Sequence, residues 1–418
     1  MSTLDTIEAN QETFGAMDAG YLDSVRPALI VCLFSPATFT ASQMHLNWDI
    51  LVEIMFFSDR ADASRMSRTC RTLLQAAPQT LLSRNEAFPL LERQQLLSFL
   101  LFMFCGRHNG FRYLNQLRLY EVWRSLPQLE EHLTDLFMQA TELKLVTLEG
   151  EKVELGERVS YAFANLTKLR TLKIDAVTDR TAELFKKMQA PLTGIDANFL
   201  GYHDSVDPIP MFAHFKHSLR AMNLSFAGFS STEIQYPRVV SLSAEYCEYQ
   251  NLVSIVHCFP SLRDLSLHAM EEDLDMQQEI SITEEERLSS LASQTRRTQW
   301  PSLHRLSGGV RELYTLGIRC RVDHVDVARW PLNSAVDGQR LAAIVADVRP
   351  TSLDARLLLP EFELLSLAEH LTCVRDELVG LRLRLDYQYE EPCPCSAQHE
   401  DPCSNVVRIC PVSMNSTS

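Results

Sequence analysis

Residues 261–269 read Ser-Leu-Arg-Asp-Leu-Ser-Leu-His-Ala, which contains the spacing Leu-x-x-Leu-x-Leu. Leu265 and Leu267 are two residues apart, the period that places side chains on one face of a β-strand. The polar Ser266 between them is expected on the opposite face. One unit of this length cannot enclose a core by itself, so its leucines have to be covered by neighbouring units. The stretch therefore predicts one strand of a stacked repeat.

The same spacing recurs between residues 114 and 385, separated by segments such as 179–190 and 248–260 that have the period of helices. Pro260 and Pro301 mark turns from helix to strand, because proline cannot extend a helix. The strand anchors are 19–28 residues apart, except for one interval of 41, and units of about 20–29 residues are typical of leucine-rich repeats. The pattern predicts an α/β fold, an irregular leucine-rich-repeat solenoid or horseshoe, with anchors at Leu145, Leu172, Ile195, Met222, Leu242, Leu265, Leu306, Val325, Leu353 and Leu381.

A different period governs residues 46–74. Apolar residues at positions 46, 50, 51, 54, 55 and 57 follow the spacing of a helix. The polar segment from Ser58 to Ser64 is predicted to end that helix, and a second helix is expected from Asp62 or Ser64 to Leu74. Two helices this short cannot bury their apolar faces on each other alone. The chain is expected to stay helical to residue 107, with one break at Pro89.

Residues 46–74 resemble an F-box, the three-helix module by which substrate receptors dock on the Skp adaptor of cullin–RING ubiquitin ligases. The positions that match the family pattern are Leu46, Asp49, Ile50, Leu51, Glu53, Ile54, Asp59, Asp62, Met66, Cys70 and Arg71. Asn47, Ser58, Thr69 and Leu73 stand where the pattern has proline, leucine, valine and tryptophan. The resemblance implies an all-α module whose adaptor-binding residues are Leu46, Ile50, Leu51, Ile54, Met66 and Cys70.

The repeats, over about residues 115–388, resemble the irregular leucine-rich repeats of fungal-type F-box proteins. The resemblance implies a substrate receptor of a Skp–cullin–F-box (SCF) ubiquitin ligase, with a client protein bound on the exposed strand face. Residues between the leucines of each strand are expected on that face. The candidate client-binding residues are Lys173, Asn223, Ser266, His268, Arg382 and Arg384.

These patterns divide the chain into four segments. Residues 1–43 show no sustained period and are expected to form a weakly ordered extension, followed by the F-box-like module and linker helices over 44–109. The solenoid covers 110–388 with an acidic insertion at 270–299, and 389–418 is expected to be a disordered tail with several cysteines and prolines. Residues 270–287 hold eight acidic residues and one arginine, a composition that predicts a solvated or disordered insertion; the alternative is an acidic lure for a basic partner.

The charge and composition of the chain limit which partners it is expected to bind and where it is expected to be located. The formal net charge is −15, which argues against nucleic acid and against anionic membrane surfaces. No segment approaches the ~20 apolar residues of a membrane span, and the acidic N-terminus does not resemble a signal peptide. The eleven cysteines occur mostly in apolar contexts, which is typical of free thiols in a reducing compartment. We therefore expect a cytoplasmic and/or nuclear protein.

Residues that could support catalysis or bind a metal are few. His214 and His217 are three residues apart, but no carboxylate stands at ligand spacing. The sequence contains no phosphate-binding loop, dinucleotide fingerprint or nucleophile elbow, so no cofactor is expected. In the tail, zinc binding, redox chemistry and an unstructured segment all remain open for Cys393, Cys395, His399, Cys403 and Cys410.

Three functional hypotheses follow. In the first, the chain is a non-catalytic SCF substrate receptor that binds a Skp-type adaptor, through it a cullin–RING ligase, and a client protein. In the second, it is a free-standing leucine-rich-repeat scaffold whose helices only cap the solenoid. The third is an enzyme with a divergent site. Copurification of a Skp-type adaptor distinguishes the first two.

Overall fold

The computed structural model describes residues 47–84, 88–90, 93–105, 110–120, 127–150, 153, 155–200, 206–249, 252–268, 276–294, 299–359, 378–387 and 405–409. Contacts divide the chain into two units between Glu53 and Ile54. The helices are α1 Trp48–Phe57, α2 Arg60–Ser67, α3 Arg71–Leu82, α4 Arg93–Cys105, α5 Pro127–Gln139, α6 Glu157–Ala164, α7 Asp179–Lys187, α8 Pro208–Met211, α9 Leu252–Cys258, α10 Met276–Ser293, α11 Val310–Leu316 and α12 Ala335–Val348.

The strands of the second unit follow one another in the sheet as they do in the chain. They are β1 Phe88–Leu90, β2 Gln116–Tyr120, β3 Leu145–Glu149, β4 Thr171–Ile174, β5 Gly194–Asn198, β6 Ala221–Ser225, β7 Gly228–Phe229, β8 Ser241–Glu245, β9 Glu248–Tyr249, β10 Asp264–His268, β11 Ser302–Gly308, β12 Arg321–Leu332, β13 Ser352–Leu359, β14 Gly380–Tyr387 and β15 Asn405–Ile409.

Thirteen of these strands form one sheet in the order β1-β2-β3-β4-β5-β6-β8-β10-β11-β12-β13-β14-β15, while β7 pairs with β9. All neighbours in the large sheet are parallel except β14 and β15. A doubly wound sheet would reverse its strand order at a switch point, whereas a stack of repeats keeps each unit beside the previous one. The prediction of a mixed α/β fold with a many-stranded parallel sheet is confirmed.

Two rows of apolar residues run across the sheet and join the helices in one hydrophobic core. The first row consists of Leu117, Val146, Leu172, Ile195, Met222, Leu242, Leu265, Leu306, Val325, Leu353 and Leu381. Nine of the ten predicted anchors lie in it. Leu145 does not, because its register partners are Gln116 and Thr171 and its neighbour Val146 takes the buried position.

The turns from helix to strand that Pro260 and Pro301 predicted stack on one another. Phe259, after α9, and Trp300, after the α10 segment, are both buried, and the indole Nε1 of Trp300 donates a hydrogen bond of 2.8 Å to the carbonyl of Phe259. Tyr236 stacks its ring on Phe259 and donates its hydroxyl to the carbonyl of Ile209. Each turn therefore satisfies polar groups of the preceding repeat.

Both ends of the sheet differ from the sequence prediction. Phe88–Leu90 is a strand paired with β2, so the predicted break of the helical region at Pro89 is part of the sheet and not only an interruption between helices. Pro89 is tolerated because β1 lies at an edge, where a missing N–H is not needed by a further strand. Asn405–Ile409 pairs antiparallel with β14, so the predicted disordered tail contains a strand, formed by a segment with two β-branched valines.

The helical module also differs in detail. The predicted second helix is two helices, α2 and α3, and Cys70 is the residue that precedes α3. Asp59 caps α2 by accepting a hydrogen bond from the backbone N–H of Asp62. Arg84 donates to the carbonyls of Met55, Phe56 and Ser58 at 3.3, 3.3 and 2.6 Å. This guanidinium satisfies carbonyls at the end of α1 that have no partner within the helix.

The acidic insertion was predicted to be solvated or disordered. Over Met276–Ser293 it forms the helix α10, so it is not disordered there, while Glu284, Glu285 and Glu286 of this helix are exposed. Arg287 is buried and donates to the carbonyl of Tyr314 at 2.6 Å, pairs with Asp347 at 2.5 Å, and lies 4.1 Å from the Tyr314 ring centroid. Thr283 is fully buried. The single arginine of the segment thus attaches an otherwise acidic helix to α11 and α12.

Replacing Gly308 by alanine is expected to destabilise the sheet. A Cβ at this position would overlap the carbonyl oxygen of Leu267 and lie 3.0 Å from a methyl carbon of Leu313. Overpacking of this kind costs about 1–3 kcal/mol. Urea unfolding followed by circular dichroism measures the effect, with Gly380→Ala as the control, because its nearest neighbour would be Ser352 Oγ at 3.4 Å. Equal stability of the two variants would contradict the packing described at Gly308.

Candidate interaction surfaces

One row of residues crosses the exposed face of the sheet, and each of its eleven members is polar. We call it the central row. Register pairing places these residues side by side on neighbouring strands: Arg118, Thr147, Lys173, Asp196, Asn223, Ser243, Ser266, Ser307, Asp326, Asp354 and Arg382. Thr147 is buried, and the others are partly or largely exposed. The central row alternates with the two apolar rows, as expected of a sheet with one buried face.

The structure brings most predicted client-binding residues onto this face. Lys173, Asn223, Ser266 and Arg382 belong to the central row. His268 and Arg384 lie two residues further along β10 and β14, in the next row towards the carboxyl ends of the strands. In that row Asn198, Ser225, Glu245 and His268 are register neighbours. The six residues therefore share a face, although they are spread over four strands, and their role in client binding stays a prediction.

Three carboxylates, those of Glu149, Asp175 and Asp196, lie on or directly after β3, β4 and β5. Arg118 Nε lies 2.7 Å from Glu149 Oε1, and Lys173 Nζ lies 3.2 Å from Asp196 Oδ2. Asp196 also accepts a hydrogen bond of 3.0 Å from the amide of Asn223. Burial, together with the negative charge of Glu149, raises the pKa of the Asp175 carboxyl above its usual value. With three carboxylates against the two cations Arg118 and Lys173, this part of the face carries an excess of negative charge.

His268, like Thr147, is a buried polar residue of the face, with 7% of its surface exposed. Its Nε2 lies 3.1 Å from Ser266 Oγ, and its Nδ1 has no hydrogen-bond partner within the part of the chain that the structure describes. Nearby, Arg329 on β12 reaches across to Glu245 at 2.7 Å. Burial first, and then the positive charge of Arg329, lower the pKa of His268; Glu245 and Asp326 oppose that effect.

This environment predicts a loss of stability in acid. Because the pKa of His268 is lower in the folded than in the unfolded chain, the unfolded state binds more protons, and the free energy of unfolding falls as the pH drops below about 6.5. In His268→Gln, urea unfolding measured between neutral and mildly acidic pH should show a shallower fall. His217→Gln, at an exposed position, is the control. Identical slopes in wild type and His268→Gln would contradict the prediction.

At the other end of the face, most arginines are neutralised by carboxylates on neighbouring strands. Arg305 Nη2 lies 2.5 Å from Asp326 Oδ2, and Arg382 Nη1 lies 3.6 Å from Asp354 Oδ2. Arg356 forms an ion pair with Asp386. These pairs were not predicted from the sequence, because they depend on which residues the register makes neighbours.

A second surface is apolar and lies on the helical module. On α1, Ile50 and Ile54 are exposed and Leu51 is half-buried; Met66 and Cys70 are half-buried, and Leu46 lies outside the described residues. Ile54, Phe56 and Phe57 expose 48%, 52% and 79% of their surface, and the two phenylalanine rings are 5.6 Å apart. Trp48 and Leu74 are exposed as well. The aromatic residues were missed as candidates, although their position at the end of an apolar helix was visible in the sequence.

Potential sites for chemistry are few within the described ranges. No group of three or more histidine, cysteine, aspartate or glutamate side chains there could hold a metal ion. His214 and His217 are both exposed, and the cysteine-rich tail segment 393–403 lies outside the described residues. Cys247, Cys258 and Cys320 are buried free thiols. Burial raises the pKa of Cys247 and Cys258 to about 12 and that of Cys320 to about 11, so these thiols are protonated at neutral pH and behave as core residues.

Among the helices whose residues the structure describes, none is long and apolar enough to cross a membrane.

Comparison with known proteins gives no family and a likeness to solved structures. No family model matches this chain. No curated protein matches it either. Among solved structures, an internalin (InlF) from Listeria monocytogenes is similar with a TM-score of 0.32 and 9% sequence identity, over 82% of this chain and 98% of that one. The strand order and register of the sheet define the fold without this likeness.

Proposed function

We propose that this chain is the substrate-recognition subunit of an SCF-type ubiquitin ligase. In this proposal, α1, α2 and α3 dock a Skp-type adaptor, and through it a cullin–RING ligase, while the exposed face of the sheet binds a client protein. The chain itself performs no chemistry, and ubiquitin is transferred by its partners. The F-box-like residues 46–74 and the repeat architecture point to the same class of protein.

The observation that carries the proposal is the exposed apolar end of α1. Ile54, Phe56 and Phe57 are large side chains, and each leaves about half or more of its surface in water. Contiguous exposed apolar surface of this kind marks a binding site for another protein. Covering one such side chain contributes about 1.5–3 kcal/mol, before the costs of association. The position of this surface within the F-box-like stretch favours the adaptor as its partner.

The helical module is also held in a defined geometry. Arg84, just after α3, donates to three carbonyls at the end of α1, and hydrogen bonds between ionised donors and carbonyls are stronger than neutral ones. The exposed rings of Phe56 and Phe57 are therefore presented by a fixed backbone rather than by a loose helix end. A preorganised surface loses less conformational entropy on binding.

The sheet face suits a protein client. Its central row extends over eleven strands without interruption, and its polar side chains form several ion pairs across strands. Partners bound by repeat proteins contact residues from many units at once. Polar and charged residues at an interface orient the bound partner and make its binding specific, and they add less to the affinity itself.

One observation favours a second candidate function, a repeat scaffold without an adaptor. Gly110, in the turn that precedes β2, would bring a Cβ to 3.5 Å from Pro78 and 3.8 Å from Leu82 of α3. Helix α3 thus packs directly on the first repeats, as a capping helix of a solenoid does. In that case the apolar end of α1 would serve a different partner.

Titration of a purified Skp-type adaptor into the full chain distinguishes the two functions. The SCF proposal predicts a complex of one adaptor per chain, seen by calorimetry and by coelution in size-exclusion chromatography. The scaffold alternative predicts no complex at concentrations where known F-box proteins bind. Absence of a complex with a folded chain, verified by circular dichroism, would overturn the SCF proposal.

A further inference from the structure

We infer that Arg384, flanked by Arg356 and Arg382, is the position at which the client is held through an anionic side chain. The inference deepens the proposed function, since it names the chemistry of the client at the predicted client-binding face. The anionic group is a carboxylate or a phosphorylated hydroxyl on a segment of protein.

Register pairing brings three arginines together. Arg384 on β14 is directly opposite Arg356 on β13, and Arg382 precedes Arg384 by two residues. Neighbouring strands lie about 4.8 Å apart, and residues two apart on a strand point to the same face about 6.6 Å from each other. The three guanidinium groups therefore originate within one small part of the exposed face. Arg408 of β15 occupies the register position beside Arg382.

The charges of two of these arginines are already balanced. Arg356 pairs with Asp386, and Arg382 lies 3.6 Å from Asp354. Arg118, at the other end of the central row, is likewise paired with Glu149. Arg384 is exposed and forms no ion pair or hydrogen bond with any residue that the structure describes. Among Arg356, Arg382 and Arg384, it is the one without such a partner in the described part of the chain.

An anionic partner group completes this arrangement. Arginine presents a planar fork that binds a carboxylate or phosphate through two hydrogen bonds at once. Like charges on neighbouring strands repel each other, and an anion at Arg384 relieves that repulsion. Asp354 and Asp386 already pair with Arg382 and Arg356, so only Arg384 of the three is left for an anionic group of the client. The geometry points to one anionic side chain, rather than a long acidic tract.

Binding of short labelled peptides to the full chain tests the inference by fluorescence anisotropy. Three peptides with the same flanking sequence carry glutamate, phosphoserine or serine at one central position. We expect the glutamate or phosphoserine peptide to bind at least about tenfold more tightly than the serine peptide, and to lose affinity at high ionic strength. The preferred anionic peptide identifies the source of the charge.

Two variants locate the site. Arg384→Glu should abolish the preference for the anionic peptide, whereas Lys187→Glu, an equal charge change at an exposed position on α7, should keep it. Equal losses in the two variants would show a general effect of charge and would overturn the inference. Equal binding of all three peptides to the wild type would overturn it as well. Adaptor binding through α1 is read separately in the same variants, so failure of the anionic site and failure of the SCF proposal remain distinguishable.

Discussion

The variant Ile54→Asp with Phe57→Asp should lose adaptor binding and keep its fold. Both side chains are exposed in the free chain, at 48% and 79% of their surface, so aspartate at these positions costs the folded state little. In a complex, the same positions would lose about 1.5–3 kcal/mol of apolar burial each and would place charges in an apolar contact. The adaptor dissociation constant should rise at least about 100-fold, as measured by calorimetry.

A matched double variant separates this effect from a general loss of surface hydrophobicity. Leu200 and Leu288 are apolar residues exposed to 63% and 64% of their surface, outside the helical module. Leu200→Asp with Leu288→Asp should leave adaptor binding within about twofold of wild type, since scattered apolar residues carry little binding energy. If the variant at Ile54 and Phe57 bound the adaptor as well as this control, α1 would not be the docking surface.

The second large effect is a loss of folding stability, which we expect in Arg287→Ala. The arginine is buried, and its loss leaves Asp347 and the carbonyl of Tyr314 without their donor. Removing one partner of a buried ion pair costs about 3–5 kcal/mol; because Asp347 keeps 24% of its side-chain surface exposed, about 2–3 kcal/mol is the better expectation. The cation–π contact with Tyr314 is lost as well.

Urea unfolding monitored by circular dichroism measures this loss. Glu285→Ala, on the exposed side of the same helix, is the control and should change the free energy of unfolding by less than about 0.5 kcal/mol. Deletion of α10 should then destabilise the chain by at least as much as Arg287→Ala. A deletion variant as stable as the wild type would mean that the segment is only a solvated insertion.

The repeat pattern was sufficient to predict the strands, because the alternation of buried and exposed residues along a strand is visible in the sequence. A residue such as Leu265 has to be covered, and alternation with Ser266 reveals which face is covered. The one misplaced anchor, Leu145, shows the limit of this argument. In the run Leu145-Val146-Thr147-Leu148, leucine and valine are equally apolar, and only pairing with Leu117 and Leu172 selects Val146.

Other features depend on contacts between residues far apart in the chain. The acidic composition of residues 270–287 gave no sign of a helix, because the attachment comes from one arginine that meets a tyrosine and an aspartate 27 and 60 residues away. The same holds for the exposed face. Its polar residues could be named from the strand period, but their ion pairs follow from the register between strands. So does the position of Arg384, which has no partner among the described residues.

The order of strands in the sheet has a consequence for how this protein can change over time. Because each repeat contacts mainly the units before and after it, the effect of a substitution decays within a few strands. Residues of β13 and β14 on the exposed face can therefore be exchanged to suit a new partner without disturbing α2 and α3. If the proposed function holds, β13 and β14 are free to diversify while α1, α2 and α3 stay constrained by the adaptor.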